Sequence, residues 1–114
     1  MDVLTQTFSA LADPTRRAII ARLAAGEATV GELATPFDIS GPAISRHIKV
    51  LEEARLIERK VRARWRVCSL RRERLAEAET WIGEMRAFWE AGFDRLEALL
   101  EAENSGPKTG KETP

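Results

Sequence analysis

The stretch at residues 38–67, DISGPAISRHIKVLEEARLIERKVRARWRV, decides the fold, because it opens as a capped helix and closes in a run of arginines. Ser40 is a favoured N-cap residue. Gly41 and Pro42 fill the first turn, where proline's fixed φ and missing N–H suit a helix start. At about 100° per residue, Ile44, Ile48 and Leu51 gather on one side. Ser45, Arg46 and Lys49 point the opposite way, with Pro42 between them. This outward set is small, hydroxylic and basic, and it sits in the N-terminal half of the helix. Glu52 and Glu53 also face outward, but two turns later. His47 falls at the edge of the apolar side, where it reads as a half-buried packing histidine; a phosphate or base contact is the alternative.

Residues 56–70 are rich in β-branched and aromatic side chains and contain no helix cap. Ile57 and Val61, then Trp65 and Val67, alternate with charges, which predicts a two-stranded hairpin turning near Arg62-Ala63-Arg64. With no Gly or Asn at the turn, a loop longer than two residues is expected. The tip then presents Lys60, Arg62 and Arg64. Cys68, inside a strand, reads as a small packed side chain.

Formal charge over the 114 residues is zero, yet residues 41–70 hold eight basic and three acidic side chains, while 71–103 hold five and nine. A segregated basic block is a polyanion footprint, although a solvated surface patch would look similar from charge alone. The length suits one small domain. No apolar run approaches the roughly 18 residues of a membrane span and the N-terminus lacks a basic leader, so a cytoplasmic, non-membrane protein is expected. Cys68 and His47 are the only cysteine and histidine. They permit no internal disulfide and no metal cluster, and nothing places them together as nucleophile and base. Neither an enzyme nor a cofactor is expected.

Ahead of the decisive stretch, Leu4, Phe8 and Leu11 recur at helical spacing and predict an amphipathic helix over about 3–12. Asp13 caps the next helix, with Pro14 first inside it, Ile19, Ile20 and Leu23 on its buried face, and Gly26 past its end. Arg16 and Arg17, in its first turn, are expected to pair with carboxylates; a phosphate contact is the alternative. Thr29 and Glu32 form a capping box for a third, short helix ended by Pro36, with Phe37 plugging the turn. From Arg71 to Glu103 there is no proline, and Leu75, Ala78, Ile82, Met85, Trp89, Gly92, Leu96 and Leu99 step by threes and fours. That heptad seam, widened by Trp81, Phe88, Phe93 and Leu100, exceeds what a small domain needs to cover its own core. A partner helix explains the surplus most simply, the same helix of a second subunit; a ligand box of Trp81, Trp89 and Phe93 is the alternative. Gly83 and Gly92 are expected weak points, and the polar residues 104–114 a disordered tail.

Short helices, a capped helix with a small basic outer face and a hairpin with a cationic tip follow the order of a winged helix-turn-helix. The fold class is mainly α with a small β-hairpin. Residues 41–54 form the recognition helix for the major groove of double-stranded DNA and 56–70 the wing beside the backbone. The segments FSALADPTRRAIIARLA, ATVGELATPFDIS, PAISRHIKVLEEARLI and RAFWEAGFDRLEALLEAE together resemble the ArsR/SmtB-type transcriptional regulators over Phe8 to Glu103, in a branch without recognised metal sites. The resemblance implies a homodimeric repressor of residues 1–103 that binds imperfect inverted repeats and pairs through its first and last helices. It places DNA contacts at Gly41, Pro42, Ser45 and Arg46, with the wing at Arg62 and Arg64. With the residues read above, the expected DNA surface is Ser40, Gly41, Pro42, Ser45, Arg46, His47, Lys49, Lys60, Arg62 and Arg64. The expected dimer interface is Leu4, Phe8, Trp81, Ile82, Met85, Trp89, Phe93 and Leu96.

Three departures from the family pattern stand out. ATVGELA carries no cysteine motif and the last helix has no histidine, and carboxylates alone are poor ligands for soft or borderline metals. Gly41 and Pro42 replace polar readout side chains, which shifts weight to Ser45, Arg46, Lys49 and DNA shape. The usual AGL after the recognition helix is ARL here, and the wing lacks its frequent glycine, so strain is expected at Arg55. Two other functions fit the same basic face: a protein-binding winged helix for an acidic partner, and a regulator responsive to a small-molecule effector.

Overall fold

The computed structural model describes residues 2–105. In chain order the elements are α1 (Val3–Ala10), α2 (Pro14–Ala24), β1 (Ala28–Thr29), α3 (Val30–Ala34), α4 (Gly41–Glu53), β2 (Ile57–Arg62), β3 (Trp65–Leu70) and α5 (Glu73–Ser105). The caps read from sequence form as expected. Asp13 accepts from the Arg16 backbone N–H at 3.0 Å, and Ser40 from that of Ala43 at 3.2 Å. Thr29 and Glu32 close both bonds of their box, at 2.8 and 3.1 Å. Backbone N–H bonds at these helix starts hold the carboxyls of Asp13 and Glu32 below the ordinary carboxylate range.

The chain divides into two compact units between Glu79 and Thr80. In the first, Ile19, Leu23, Leu33, Ile44, Ile48, Leu51, Leu56, Ile57 and Cys68 form one buried cluster. Each large aliphatic side chain in it contributes about 1.5–3 kcal/mol. Leu75, in the first turn of α5, packs against the same cluster.

Several expectations are corrected. The first helix ends at Ala10 rather than 12, and its inward side is Thr7 and Ala10. The Thr7 hydroxyl is satisfied by donating to the Val3 carbonyl at 3.0 Å, whereas Leu4 is half-buried and Phe8 exposed. Among the described residues, neither Arg16 nor Arg17 has a carboxylate within ion-pair distance of its side chain. Arg16 donates to the Ala10 and Ser9 carbonyls at 2.6 and 3.3 Å, and Arg17 to that of Leu11 at 2.7 Å. The last carbonyls of a helix lack intrahelical donors and carry the negative end of its dipole, so they attract a guanidinium as a carboxylate would.

The wing is part of a three-stranded antiparallel sheet, ordered β1-β3-β2. Strand β1 pairs Ala28 with Cys68 and Thr29 with Val67; its two residues are too few to show an alternation in sequence. Arg62 pairs with Trp65, so the hairpin loop is only Ala63-Arg64, shorter than expected. Ala63, at the first central position, takes a positive φ of 55°, a dihedral more usual for glycine. The alternation is inward only at the wing's base, where Ile57 and Cys68 are buried; Val61 and Trp65 near the tip are exposed.

Arg55 takes a left-handed φ of 60° after α4. The Arg55 N–H bonds the Glu52 carbonyl and the Leu56 N–H the Leu51 carbonyl, each at 3.0 Å, with both leucines fully buried. This is a Schellman stop with arginine where glycine is usual. Arg55→Gly is expected to stabilise the protein by about 0.5–1 kcal/mol and raise the melting temperature, after the flexibility glycine adds to the unfolded chain is subtracted. Arg55→Ala should give no gain in the same thermal melt.

In the second unit, α5 continues unbroken through Gly83 and Gly92. A helical glycine costs about 1 kcal/mol relative to alanine, which weakens a long helix without ending it. Trp81, Ile82, Phe88, Trp89, Phe93, Leu96, Leu99 and Leu100 are exposed along it, and Met85 is half-buried. The helix includes Asn104 and Ser105; the remainder of the expected tail lies outside the described residues. No helix among the described residues is long and apolar enough to cross a membrane.

Candidate nucleic-acid interface

Ile44, Ile48 and Leu51 anchor α4 in the core, so its opposite side is outward by necessity. Gly41, Pro42, Ser45, Arg46 and Lys49 are all exposed there, as is the cap Ser40. A Cβ built on Gly41 would meet nothing within 4 Å, so the helix start is open to a large ligand surface. Among the described residues, no carboxylate lies within ion-pair distance of Arg46 or Lys49. Glu52, by contrast, is engaged by Arg59 at 2.9 Å and ties α4 to β2. His47 is half-buried, the packing position read from the wheel, and its Nδ1 lies 3.2 Å from Arg16 Nη1 and 3.9 Å from Asp13 Oδ2.

The three expected wing cations differ in their surroundings. Lys60 lies 3.7 Å from Glu58 on its own strand. Arg62 is gripped by both carboxylate oxygens of Glu27, at 2.8 and 3.0 Å. Arg64 pairs with no described carboxylate and sits over the Trp65 ring, 5.5 Å from its centroid, a cation–π distance. Sequence reasoning missed Arg66, which stands opposite Val61, exposed and with no carboxylate in reach among the described residues. Its place in the arginine run of residues 62–66 was the signal available in the sequence. Glu27 had no such signal, because 35 residues separate it from Arg62.

A phosphate binding at Arg62 would have to displace Glu27. An exposed ion pair contributes under about 1 kcal/mol. Glu27→Gln is therefore expected to raise affinity for all duplexes by about two- to fivefold and steepen the salt dependence, read by fluorescence anisotropy from low to moderate salt.

The Cys68 thiol is buried in β3, where desolvation pushes its pKa up, whereas the His47 ring lies on α4 beside Arg16. No group of three or more His, Cys, Asp or Glu side chains among the described residues could hold a metal ion.

Helices α3 and α4 followed by a cationic hairpin define a winged helix-turn-helix protein. Residues 11–60 match the helix-turn-helix domain family. The chain is 40% identical over 98 residues to the HTH-type transcriptional regulator Rv2034 of Mycobacterium tuberculosis, covering 86% of this chain and 89% of that one. It is 34% identical over 79 residues to the transcriptional repressor SdpR of Bacillus subtilis, covering 69% and 88%. Among solved structures, an ArsR family transcriptional regulator superimposes with a TM-score of 0.72 at 43% identity, over 77% of this chain and 91% of that one. The chain belongs to the ArsR family of winged helix-turn-helix transcriptional regulators.

Proposed function

We propose that this protein is a homodimeric, sequence-specific DNA-binding repressor that reads an imperfect inverted repeat through α4 and braces the backbone with its wing. The observation that carries this reading is the outward side of α4. Ser45, Arg46 and Lys49 stand exposed beside a capped, open helix start, without a described carboxylate to neutralise the cations. Such a side fits the roughly 12 Å major groove, where arginine bonds guanine O6 and N7 in pairs. The overall neutrality agrees with this, since the acidic excess lies in residues 71–103 and leaves the basic block to one ligand. The names of the relatives, a transcriptional regulator and a transcriptional repressor, support the regulatory role.

The dimer is supported by the exposed apolar side of α5. Trp81, Ile82, Met85, Trp89, Phe93 and Leu96 are its proposed contacts and, separately on α1, Leu4 and Phe8. A twofold dimer reads half-sites about 34 Å apart, one turn of DNA.

The test selects bound fragments from the organism's own DNA and compares the selected duplex with random sequence by fluorescence anisotropy. Selected duplex is expected to bind at least about a thousandfold more tightly, with affinity for both falling steeply as salt rises. Failure to bind either duplex in dilute buffer would refute the reading.

A further inference from the structure

We infer that Arg16 sets the tautomer of His47, so that the recognition helix presents the imidazole Nε2–H as an uncharged hydrogen-bond donor to a DNA phosphate oxygen. The inference rests on the DNA-binding reading above and adds to it a positioning residue outside α4 and the wing.

The guanidinium of Arg16 is held from three directions. Its Nε–H donates to the Ala10 carbonyl at 2.6 Å and one Nη2–H to the Ser9 carbonyl at 3.3 Å, both at the C-terminal end of α1. The remaining edge of the fork, Nη1, lies 3.2 Å from His47 Nδ1. A guanidinium has five N–H groups and no acceptor, and it stays protonated in proteins. The Arg16–His47 contact is therefore a hydrogen bond only when Nδ1 offers its lone pair. The single proton of the uncharged ring then sits on Nε2.

Asp13 is the other charged group against this ring. Its Oδ2 lies 3.9 Å from Nδ1 and is already accepting the Arg16 backbone N–H at 3.0 Å. Arg16 is the nearer partner and decides the proton's position. The atoms of α1 nearest to Arg16 are backbone carbonyls, which carry no titratable charge.

On the far side of the ring, Nε2 has no hydrogen-bond acceptor among the described residues, and 23% of the side chain remains accessible. A donor on a half-buried ring normally finds an acceptor in protein, water or ligand. His47 follows Arg46 at the middle of α4, beside the exposed cations Arg46 and Lys49, which draw an anion. A phosphate oxygen is the acceptor of matching chemistry. Because the donor carries no charge, its bond adds affinity without releasing a counterion and leaves the salt slope unchanged.

His47 is the only histidine, so its ring nitrogens give unambiguous signals in ¹⁵N-histidine-labelled full-length protein. In the free wild type, NMR should show Nε2 protonated and Nδ1 bare, and Arg16→Ala should produce a mixture of the two tautomers. His47→Gln places an amide N–H near the Nε2 position, whereas His47→Asn reaches only as far as Nδ1, where its amide oxygen accepts from Arg16 and no N–H replaces Nε2–H. The glutamine variant should keep affinity for selected and random duplexes within about threefold, and the asparagine variant should lose about tenfold on both with no change of salt slope. Arg16→Lys should weaken binding in the wild type and have little effect in the His47→Gln background. A wild-type ring protonated at Nδ1 while the protein binds duplex would overturn the inference alone, and this reading needs no variant to fold. Equal affinities of the glutamine and asparagine variants would also overturn it. If the wild type binds no duplex, the DNA-binding reading falls, and the phosphate contact with it, whichever tautomer is found.

Discussion

Trp89→Glu is expected to dissociate the protein into monomers at micromolar concentration and to lower affinity for a duplex with two half-sites by about 100-fold or more. Trp89 lies in the middle of the apolar side of α5, 57% exposed in the single chain. In a twofold pairing of α5 helices it would be covered by its symmetry mate. A carboxylate there must be desolvated without a partner, or must hold the two helices apart. The loss of DNA affinity follows from linkage rather than from any lost DNA contact. Two joined half-site readers bind the second half-site at a high effective concentration, which is worth about 10²- to 10⁴-fold. Trp89→Phe keeps apolar area and should remain dimeric. Sedimentation equilibrium gives the mass and footprinting the length of protected duplex. A Trp89→Glu protein that stays dimeric and protects both half-sites would show that the interface lies elsewhere.

Arg46→Ala carries the second large effect. If Arg46 makes a bidentate contact with one guanine in each half-site, its loss costs about 1–3 kcal/mol per half-site, or roughly five- to 150-fold. The loss should be concentrated on selected duplex, and one base position in each half-site should become tolerant of substitution. Arg64→Ala and Arg66→Ala should behave differently, weakening binding to all sequences alike and flattening the salt slope by about one unit each. The contrast follows from geometry. Arg46 projects from a helix narrow enough for the groove, whereas Arg64 and Arg66 lie on the hairpin. Equal losses on selected and random duplex for Arg46→Ala would reassign it to a backbone contact.

Legibility followed range along the chain. The caps at Asp13, Thr29 and Ser40 were readable because a cap joins residues three apart and needs nothing else to form. The buried side of α4 was readable because Ile44, Ile48 and Leu51 repeat at the helical period. The left-handed Arg55 was readable as a departure from a glycine pattern. Strand β1 was not readable, since two residues hold no period and their partners, Cys68 and Val67, lie some 40 positions away. The two-residue wing loop was misread because Ala63 accepts a dihedral that local preference assigns to glycine; the paired strands on either side hold it there. Among the candidate contacts, Ser45, Arg46 and Lys49 needed only the wheel, but Arg62's engagement by Glu27 and Arg16's bridge from α1 to His47 needed the folded chain.

What the amino-acid order determined on its own was therefore local: helix starts and stops, the core-facing side of α4, the basic block, and a final helix with a long apolar seam. Backbone hydrogen bonding and apolar periodicity act over a few residues, and that distance is written directly in the order of side chains. Which cation meets which carboxylate or carbonyl was decided only by tertiary structure. A long guanidinium side chain can reach acceptors on more than one segment, and packing of distant segments brought Arg16 to the end of α1 and Arg62 to Glu27.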